Sequence, residues 1–294
     1  MKRISIFLLL LTFINVNAVP PRGLLSVSNQ IDQSQSQDES TITIATFNIQ
    51  IFGKTKSAKE LVMDTLAMII RSYDIVAVQE IKNKPNKVPT LFLNKINENG
   101  AKYAMVLSER TGMQADDKSS QEQYAYYYNT ETIKSLDEGV LYDDSSNDFF
   151  QREPFLAGFS AIEGSFTFVL SSIHTRPSEA KKEIAALHDV VNWAKNKYPD
   201  EDDFITLGDF NASCSYASPE DLDQMELRGA AYQWIVPDDA DTNLASKVCA
   251  YDRIVITTGV TSDFTGQWGV DNAFTSKVVS DHFPVWAEFY TNKD

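Results

Sequence analysis

Three short, nearly continuous apolar runs in this chain stop abruptly at polar residues, and each stops at a group capable of chemistry. Residues 74–78 (Asp-Ile-Val-Ala-Val) are followed by Gln79-Glu80. Residues 166–173 alternate Phe, Phe and Leu and end at His174. Residues 204–207 lead into Gly208-Asp209-Phe210-Asn211. Runs of this length, rich in β-branched and aromatic residues, read as buried strands. Strand ends in an α/β sheet are where reactive groups collect. A fourth motif, Ser280-Asp281-His282-Phe283-Pro284, places a second imidazole beside a carboxylate near the C-terminus.

The rest of the pattern fixes the fold class. Residues 41–47 alternate as a strand, and residues 58–71 set Val62, Thr65, Leu66, Ile69 and Ile70 on one helical face. Residues 88–96 read as a helix and the tyrosine-rich 123–128 as a strand. The clearest helix spans 178–197, with Ile184, Leu187, Val191 and Ala194 on one face, Ser178 as its cap and Pro177 before it. Residues 253–257 and 285–290 are strands. Strands and helices alternate, but the middle and the end hold strand pairs with no helix between them. That predicts an α/β fold of two β-sheets packed face to face with helices outside. In each half a helix precedes a short strand that delivers an acid, Glu80 or Asp209, a faint echo of duplication.

The N-terminus carries Lys2-Arg3, an apolar run over residues 4–14, and Val16-Asn17-Ala18. This predicts a secretory signal peptide over residues 1–18, too short for a membrane anchor. Residues 19–40, rich in Pro, Ser and Gln, are expected to be a flexible lead-in to one domain over 41–294. No other run is apolar enough to span a bilayer, so stable membrane association is not expected. The two cysteines, Cys214 and Cys249, are expected to pair in an oxidising compartment. The loop they close is worth on the order of 4 kcal/mol in the chain-entropy account.

The formal net charge is −15, and loss of Lys2 and Arg3 with the signal peptide makes it more negative. Binding nucleic acid through bulk electrostatics is thereby excluded. An enzyme whose bound cation reverses the local sign is not. Glu80, Asp209 and Asp281, brought together, would repel by roughly 4 kcal/mol per pair at about 4 Å and an effective dielectric near 20. A divalent cation removes that cost, and hard oxygen donors suit Mg²⁺, Mn²⁺ or Ca²⁺. Asn48 and Asn211 add neutral oxygens and amide donors. His174 and His282 are the acid–base candidates, and each needs an orienting carboxylate, for which Glu122 and Asp252 are available. His188 belongs to the surface of the amphipathic helix, while Asp116-Asp117 and residues 200–203 read as solvated loops. The sequon Asn211-Ala212-Ser213 is discounted, because a glycan there would block the site.

Taken together, these motifs resemble the deoxyribonuclease I family of the endonuclease/exonuclease/phosphatase superfamily. The matching text is Thr46-Phe-Asn-Ile-Gln-Ile-Phe-Gly53, Tyr73-Asp-Ile-Val-Ala-Val-Gln-Glu80, Arg152-Glu-Pro-Phe155, Leu207-Gly-Asp-Phe-Asn-Ala-Ser-Cys-Ser-Tyr216, Cys249-Ala-Tyr-Asp-Arg-Ile-Val255 and Ser280-Asp-His-Phe-Pro284. The resemblance implies a four-layer α/β sandwich with the site at the top of two packed sheets. It pairs His174 with Glu122 and His282 with Asp252, and counts Asp209 among the catalytic residues. It assigns Asn48, Glu80, Asp209 and Asp281 to the metal, and gives Asn48, Arg152, Asn211 and Lys82 to the phosphate. It implies a Cys214–Cys249 disulfide, Mg²⁺-dependent endonucleolytic cutting of DNA to 5′-phosphorylated fragments, assistance by Ca²⁺, and a secreted monomer. Actin binding is left open.

The chain also departs from the family pattern. Lys118-Ser119-Ser120-Gln121 stands where an aromatic and basic residues are usual. Lys82 replaces an arginine fork with a point charge, and Lys247 stands where a small hydroxyl residue is expected. A second, smaller disulfide is absent from residues 142–150, whose Asp143, Asp144 and Asp148, together with Asp241, are the expected Ca²⁺ positions. The alternative reading is a phosphodiesterase or phosphatase acting on phospholipid or inositol phosphate. It needs an apolar or strongly basic approach surface that the sequence does not supply. A catalytically dead binding protein should have lost one of His174, Asp209, Asp252 or His282, and none is lost.

Overall fold

A computed structural model describes residues 39–82, 87–113 and 119–293. The expected signal peptide, residues 19–38 of the lead-in, Asp116-Asp117 and Lys118 lie outside the described residues.

From the N-terminus, β1 (Thr41–Phe52) leads through α1 (Lys54–Ser57) and α2 (Glu60–Ile70) to β2 (Ile75–Ile81). Next, α3 (Lys87–Ile96) precedes β3 (Tyr103–Leu107) and β4 (Gln123–Asn129). Short strands β5 (Ile133–Ser135) and β6 (Val140–Leu141) come before the hairpin of β7 (Phe155–Ala161) and β8 (Thr167–His174). Then α4 (Ala180–Lys197) leads to β9 (Phe204–Asp209), followed by α5 (Pro219–Leu222) and β10 (Tyr232–Trp234). β11 (Asp252–Thr257), β12 (Phe264–Val270) and β13 (Val285–Tyr290) complete the fold.

One sheet has the order β12-β13-β1-β2-β4-β3, and the other β10-β11-β9-β8-β7-β5, with β6 on β7. Each sheet holds one parallel pair, β1 with β2 and β8 with β9, while the other pairings are antiparallel. A parallel neighbour needs a long crossover, and the chain uses α2 and α4 for them. These two crossovers are the structural form of the echo in the sequence.

The layers follow from side-chain alternation. Ile42, Ile44, Ile75 and Ala77 of the first sheet meet Phe168, Leu170, Ile205, Leu207 and Ile254 of the second in one core. On the outer face of the first sheet, Phe47, Val76 and Val78 pack against Leu66 and Ile70 of α2 and Phe92 of α3. On the outer face of the second, Val169, Ile173 and Val255 pack against Ile184, Leu187 and Val191 of α4. The result is the expected four-layer sandwich.

Successive strand residues face opposite sides, so every second residue lines the gap between the sheets. Ile42, Ile44, Thr46 and Asn48 make one such row on β1, and Phe168, Leu170, Ser172 and His174 another on β8. Ile205, Leu207 and Asp209 continue the pattern on β9, and Ile256, Ile254 and Asp252 on β11. Each row changes from apolar to polar at the same end of the sandwich, because His174 and Asp252 both lie in register with Asp209.

Three local expectations are corrected. The helix expected from residue 178 begins at Ala180, after a 3₁₀ turn over Pro177–Glu179, and Ser178 does not cap it. The fixed φ of Pro177 favours the tighter turn. The helix expected from residue 58 begins at Glu60, because Lys59 is extended and separates it from α1. Asp203 is buried rather than solvated, since its carbonyl already accepts the N–H of Val169 where β9 starts beside β8.

Candidate active site

The site is built where β1 and β2 stop being regular. The β1–β2 register shifts after Asn48, and the β2–β4 register shifts after Val78. Gln50, Ile51 and Glu80 take φ of 43°, 49° and 65°. Left-handed backbone is uncommon outside glycine and is a strain for β-branched Ile51. Irregularities of this kind re-aim side chains at a sheet's rim. Here they bring Asn48 against two carboxylates. Its Nδ2 donates to Glu80 Oε1 at 3.2 Å and to Asp209 Oδ2 at 3.0 Å. Its Oδ1 accepts the N–H of Gln50, and the N–H of Ile51 donates to Glu80 Oε2 at 2.7 Å.

Two histidine–carboxylate pairs converge on the same Asp209 oxygen. His174 Nδ1 is 2.9 Å from Glu122 Oε1, and its Nε2 is 3.5 Å from Asp209 Oδ2. His282 Nδ1 is 2.8 Å from Asp252 Oδ2, and its Nε2 is 3.6 Å from Asp209 Oδ2. A carboxylate on Nδ1 fixes the ring and turns Nε2 toward the reacting side. Burial pushes both acids up, yet His174 and Arg152 hold Glu122, and His282 and His174 hold Asp209, below the usual carboxylate range. Burial also opposes charge on His282, but Asp252 and Asp209 lift its pKa to about 10.

Neighbouring groups set these side chains in place. Arg152 is only 4% exposed. It donates from Nε to the His174 carbonyl and from Nη2 to that of Thr175, both at 2.7 Å. It therefore lies beneath the end of β8. Lys82 Nζ is 3.0 Å from Glu122 Oε2. Asn211 is buried with φ 49°, its N–H donates to Asp209 Oδ1, and its Nδ2 donates to the Thr175 carbonyl at 3.2 Å. Cys214 and Cys249 form a disulfide with Cα atoms 5.7 Å apart, which ties the loop after Asp209 to the loop before Asp252. Asp241 is exposed and accepts from Asn243 Nδ2, while the exposed Lys247 offers its carbonyl to the same amide. His188 sits partly exposed on α4, bonded to the hydroxyl of Tyr232 and paired with Glu226.

Four further residues of the site were not among the candidates drawn from the sequence. Thr242 Oγ1 donates to Asp252 Oδ2 at 2.7 Å and accepts the N–H of Asp252. Ser280 Oγ donates to the Asn48 carbonyl and accepts the N–H of His282. The Tyr124 hydroxyl accepts the N–H of His174 at 3.1 Å. Lys56 Nζ donates to carbonyls near both Asn48 and Asp281. Ser280 adjoins the Asp281-His282 pair and Tyr124 lies two residues beyond Glu122 on a strand legible in the sequence, whereas Thr242 and Lys56 carry no such signal.

The donor chemistry fits a hard divalent cation. Glu80 and Asp209 share only a neutral amide between them, and Asp281 lies close enough for its charge to act on His282 and Lys56. Oxygen donors without thiolates suit Mg²⁺ or Mn²⁺ rather than zinc. Asp209, Asp252 and His282 also place ligand atoms within 4.8 Å of one another. Two of these three are hydrogen-bonded to each other, so that trio serves better as an acid–base pair beside Asp209 than as a metal cage.

Known proteins match both the text and the shape of the chain. The Endonuclease/Exonuclease/phosphatase family matches residues 45–282. Deoxyribonuclease-1 of Mus musculus is 35% identical over 263 residues, 83% of this chain and 90% of that protein. Deoxyribonuclease-1 of Sus scrofa is 33% identical over the same shares. Among solved structures, an endonuclease/exonuclease/phosphatase from Bacteroides vulgatus aligns with TM-score 0.59 at 16% identity, covering 85% of this chain and 98% of that one. D. rerio TDP2 complexed with a single-strand DNA product aligns with TM-score 0.57 at 14% identity, covering 86% and 100%. The sandwich, the two histidine–carboxylate pairs and these matches together make the chain a member of the endonuclease/exonuclease/phosphatase family, on its deoxyribonuclease I branch.

Proposed function

We propose that this protein is a secreted, divalent-metal-dependent endonuclease that hydrolyses DNA to 5′-phosphorylated fragments with low sequence specificity. The observation that carries the reading is the convergence of His174 and His282 on one oxygen of Asp209, at 3.5 and 3.6 Å. Each imidazole is backed by a buried carboxylate. Kinship with deoxyribonuclease-1 supplies the substrate class.

In the reaction, water attacks phosphorus and the bond from phosphorus to the 3′ oxygen breaks. His174, oriented by Glu122, takes the proton from water, and His282, held charged by Asp252 and Asp209, protonates the leaving oxygen. Asn48, Glu80, Asp209 and Asp281 would hold Mg²⁺ or Mn²⁺, whose chemistry is to neutralise charge on the phosphoryl oxygens. Asn211 and Lys82 line the phosphate side, and Arg152 holds the His174 carbonyl in place. Contacts of this kind read the backbone rather than the bases, which fits low specificity.

A separate acidic loop is the seat we assign to Ca²⁺. Asp144 Oδ1 is buried without a hydrogen-bond partner, and burial together with the charges of Asp148 and Glu153 raises the Asp144 pKa. The disulfide agrees with secretion into an oxidising compartment, and among the described residues no helix is long and apolar enough to cross a membrane.

The test is plasmid nicking by the mature protein and by His174→Ala, with Mg²⁺ and Ca²⁺ and then with a chelator. Nicking that requires metal and collapses in the variant supports the reading. Intact plasmid with the wild-type protein overturns it and directs attention to lipid and inositol phosphates.

A further inference from the structure

One ammonium of the chain is seated between the segments that carry the proposed metal ligands. Lys56, on α1, is half-buried, and its ammonium donates to three backbone carbonyls. Those are Ile49 at 2.8 Å, Gln50 at 2.5 Å and Val279 at 3.0 Å. An ammonium has three N–H donors, so its capacity is filled. The carbonyls come from two segments far apart in sequence. One is the left-handed stretch at Gln50 and Ile51. The other is the segment just before Ser280.

Both segments deliver active-site groups. On the first, the N–H of Gln50 donates to Asn48 Oδ1, and the N–H of Ile51 to Glu80 Oε2. On the second, Ser280 Oγ donates to the Asn48 carbonyl and accepts the N–H of His282. The strained φ values need a restraint, and the converging carbonyl oxygens need a cation. Lys56 supplies both at one point.

We propose that Lys56 is a positioning residue that clamps the end of β1 to the Val279–His282 segment. Through that clamp it holds Asn48 and Glu80 at a working distance from Asp281 and His282. The proposal rests on the metal-dependent reading above and names a residue through which that site is held in shape. All three Lys56 donors go to backbone carbonyls, so it acts on the site through other residues.

Its sign makes the proposal testable. A nearby ammonium, acting as charge alone, repels Mg²⁺, so removing it would tighten Mg²⁺ binding. Removing a clamp does the reverse, as loss of groups that orient ligands weakens metal sites by about 10–100-fold. The experiment is calorimetric Mg²⁺ titration of the full chain without DNA, for wild type, Lys56→Met and Lys56→Arg, with kcat and KM measured in parallel. We expect Mg²⁺ affinity to fall at least about tenfold in Lys56→Met, with kcat reduced more than KM is raised. Lys56→Arg keeps the charge, but its planar fork cannot point three donors at three converging carbonyls. It should therefore also lose affinity, and it carries the test if Lys56→Met does not fold. Unchanged or tighter Mg²⁺ binding in a folded variant overturns the proposal, as does a wild-type protein that binds no Mg²⁺. Because binding is read without DNA, failure to nick plasmid sinks the nuclease reading while leaving this result to be judged separately.

Discussion

Asn48 and Asp209 belong to different sheets, and a single amide hydrogen bond of 3.0 Å joins them across the top of the sandwich. The same amide donates to Glu80, so one neutral donor serves two carboxylates. Asn48→Ala leaves both acids without it. A hydrogen bond to a charged partner contributes about 1.5–3 kcal/mol, so the metal-free variant should be destabilised by an amount of that order. Its kcat should fall on the order of a hundredfold, because the ligand pair is no longer oriented. Added Mg²⁺ should recover part of the lost stability. Chemical denaturation with and without Mg²⁺ checks the first claim and steady-state kinetics the second, and wild-type kcat in the variant would refute the assignment.

The raised pKa of His282 has a consequence for stability. For a histidine held charged by its fold, the stabilising contribution is complete below the unfolded value near 6.5 and is lost as pH climbs through about 10. Lys56, which burial lowers to about 8, acts in the opposite sense over part of that range. The difference between two proteins isolates His282. With metal chelated, wild type minus His282→Gln should lose stability between roughly pH 7 and 10, and thermal melts across that range read it directly. A difference independent of pH would mean that Asp252 and Asp209 do not hold the imidazole charged.

Much of this site was legible because strands are periodic and sites sit at their ends. His174, Asp209 and Glu80 each follow a run whose apolar alternation announces a buried strand. What alternation alone could not give is which ends meet. Asn48 and Asp209 are distant in sequence, and only the face-to-face packing of the sheets joins them. Lys56 and Thr242 were invisible for a different reason. Each works from an irregular or very short segment, where no period marks a side chain as inward. The resemblance gives Arg152 to the phosphate, and the structure adds that its Nε and Nη2 donate to the backbone carbonyls at the end of β8. Type and neighbourhood are written in a sequence more plainly than direction is.

Arg253 shows how strongly the loops around the site are held. It is fully buried next to Asp252, and it donates to the carbonyls of Ala250, Val236 and Ala212. Its Nη2 is also 2.9 Å from Asp238 Oδ1. Ala212 follows Asn211 and Ala250 precedes Asp252 by two residues, so one side chain joins the two loops that the disulfide also ties. Arg253→Met leaves three carbonyls without this donor, while Asp238 keeps Arg228 Nη2 on the same Oδ1. Leaving a buried acceptor unpaired costs about 1–3 kcal/mol. We expect a destabilisation of that size in urea, together with reduced activity even where the protein is folded. Full stability in Arg253→Met would show that the loops hold themselves.

Ca²⁺ should act on the fold rather than on the chemistry. Asp144 offers a buried oxygen without a partner while its other oxygen accepts the N–H of Phe150 at 2.7 Å. Glu153 adjoins Arg152, which donates to the His174 carbonyl, so the acidic loop and the end of β8 are mechanically joined. Burial together with the charges of Asp148 and Glu153 raises the Asp144 pKa. For a raised carboxyl the stabilising contribution is complete below the unfolded value and is lost as pH rises through the folded one. A cation that binds this loop only in the folded state stabilises the fold by mass action. At about a hundred times its Kd, Ca²⁺ should add roughly 2.7 kcal/mol, and Asp144→Asn should abolish most of the gain while leaving Mg²⁺-dependent kcat within a few-fold. Melting curves with Ca²⁺ alone decide the matter, because a Ca²⁺ shift that survives in Asp144→Asn places the ion elsewhere.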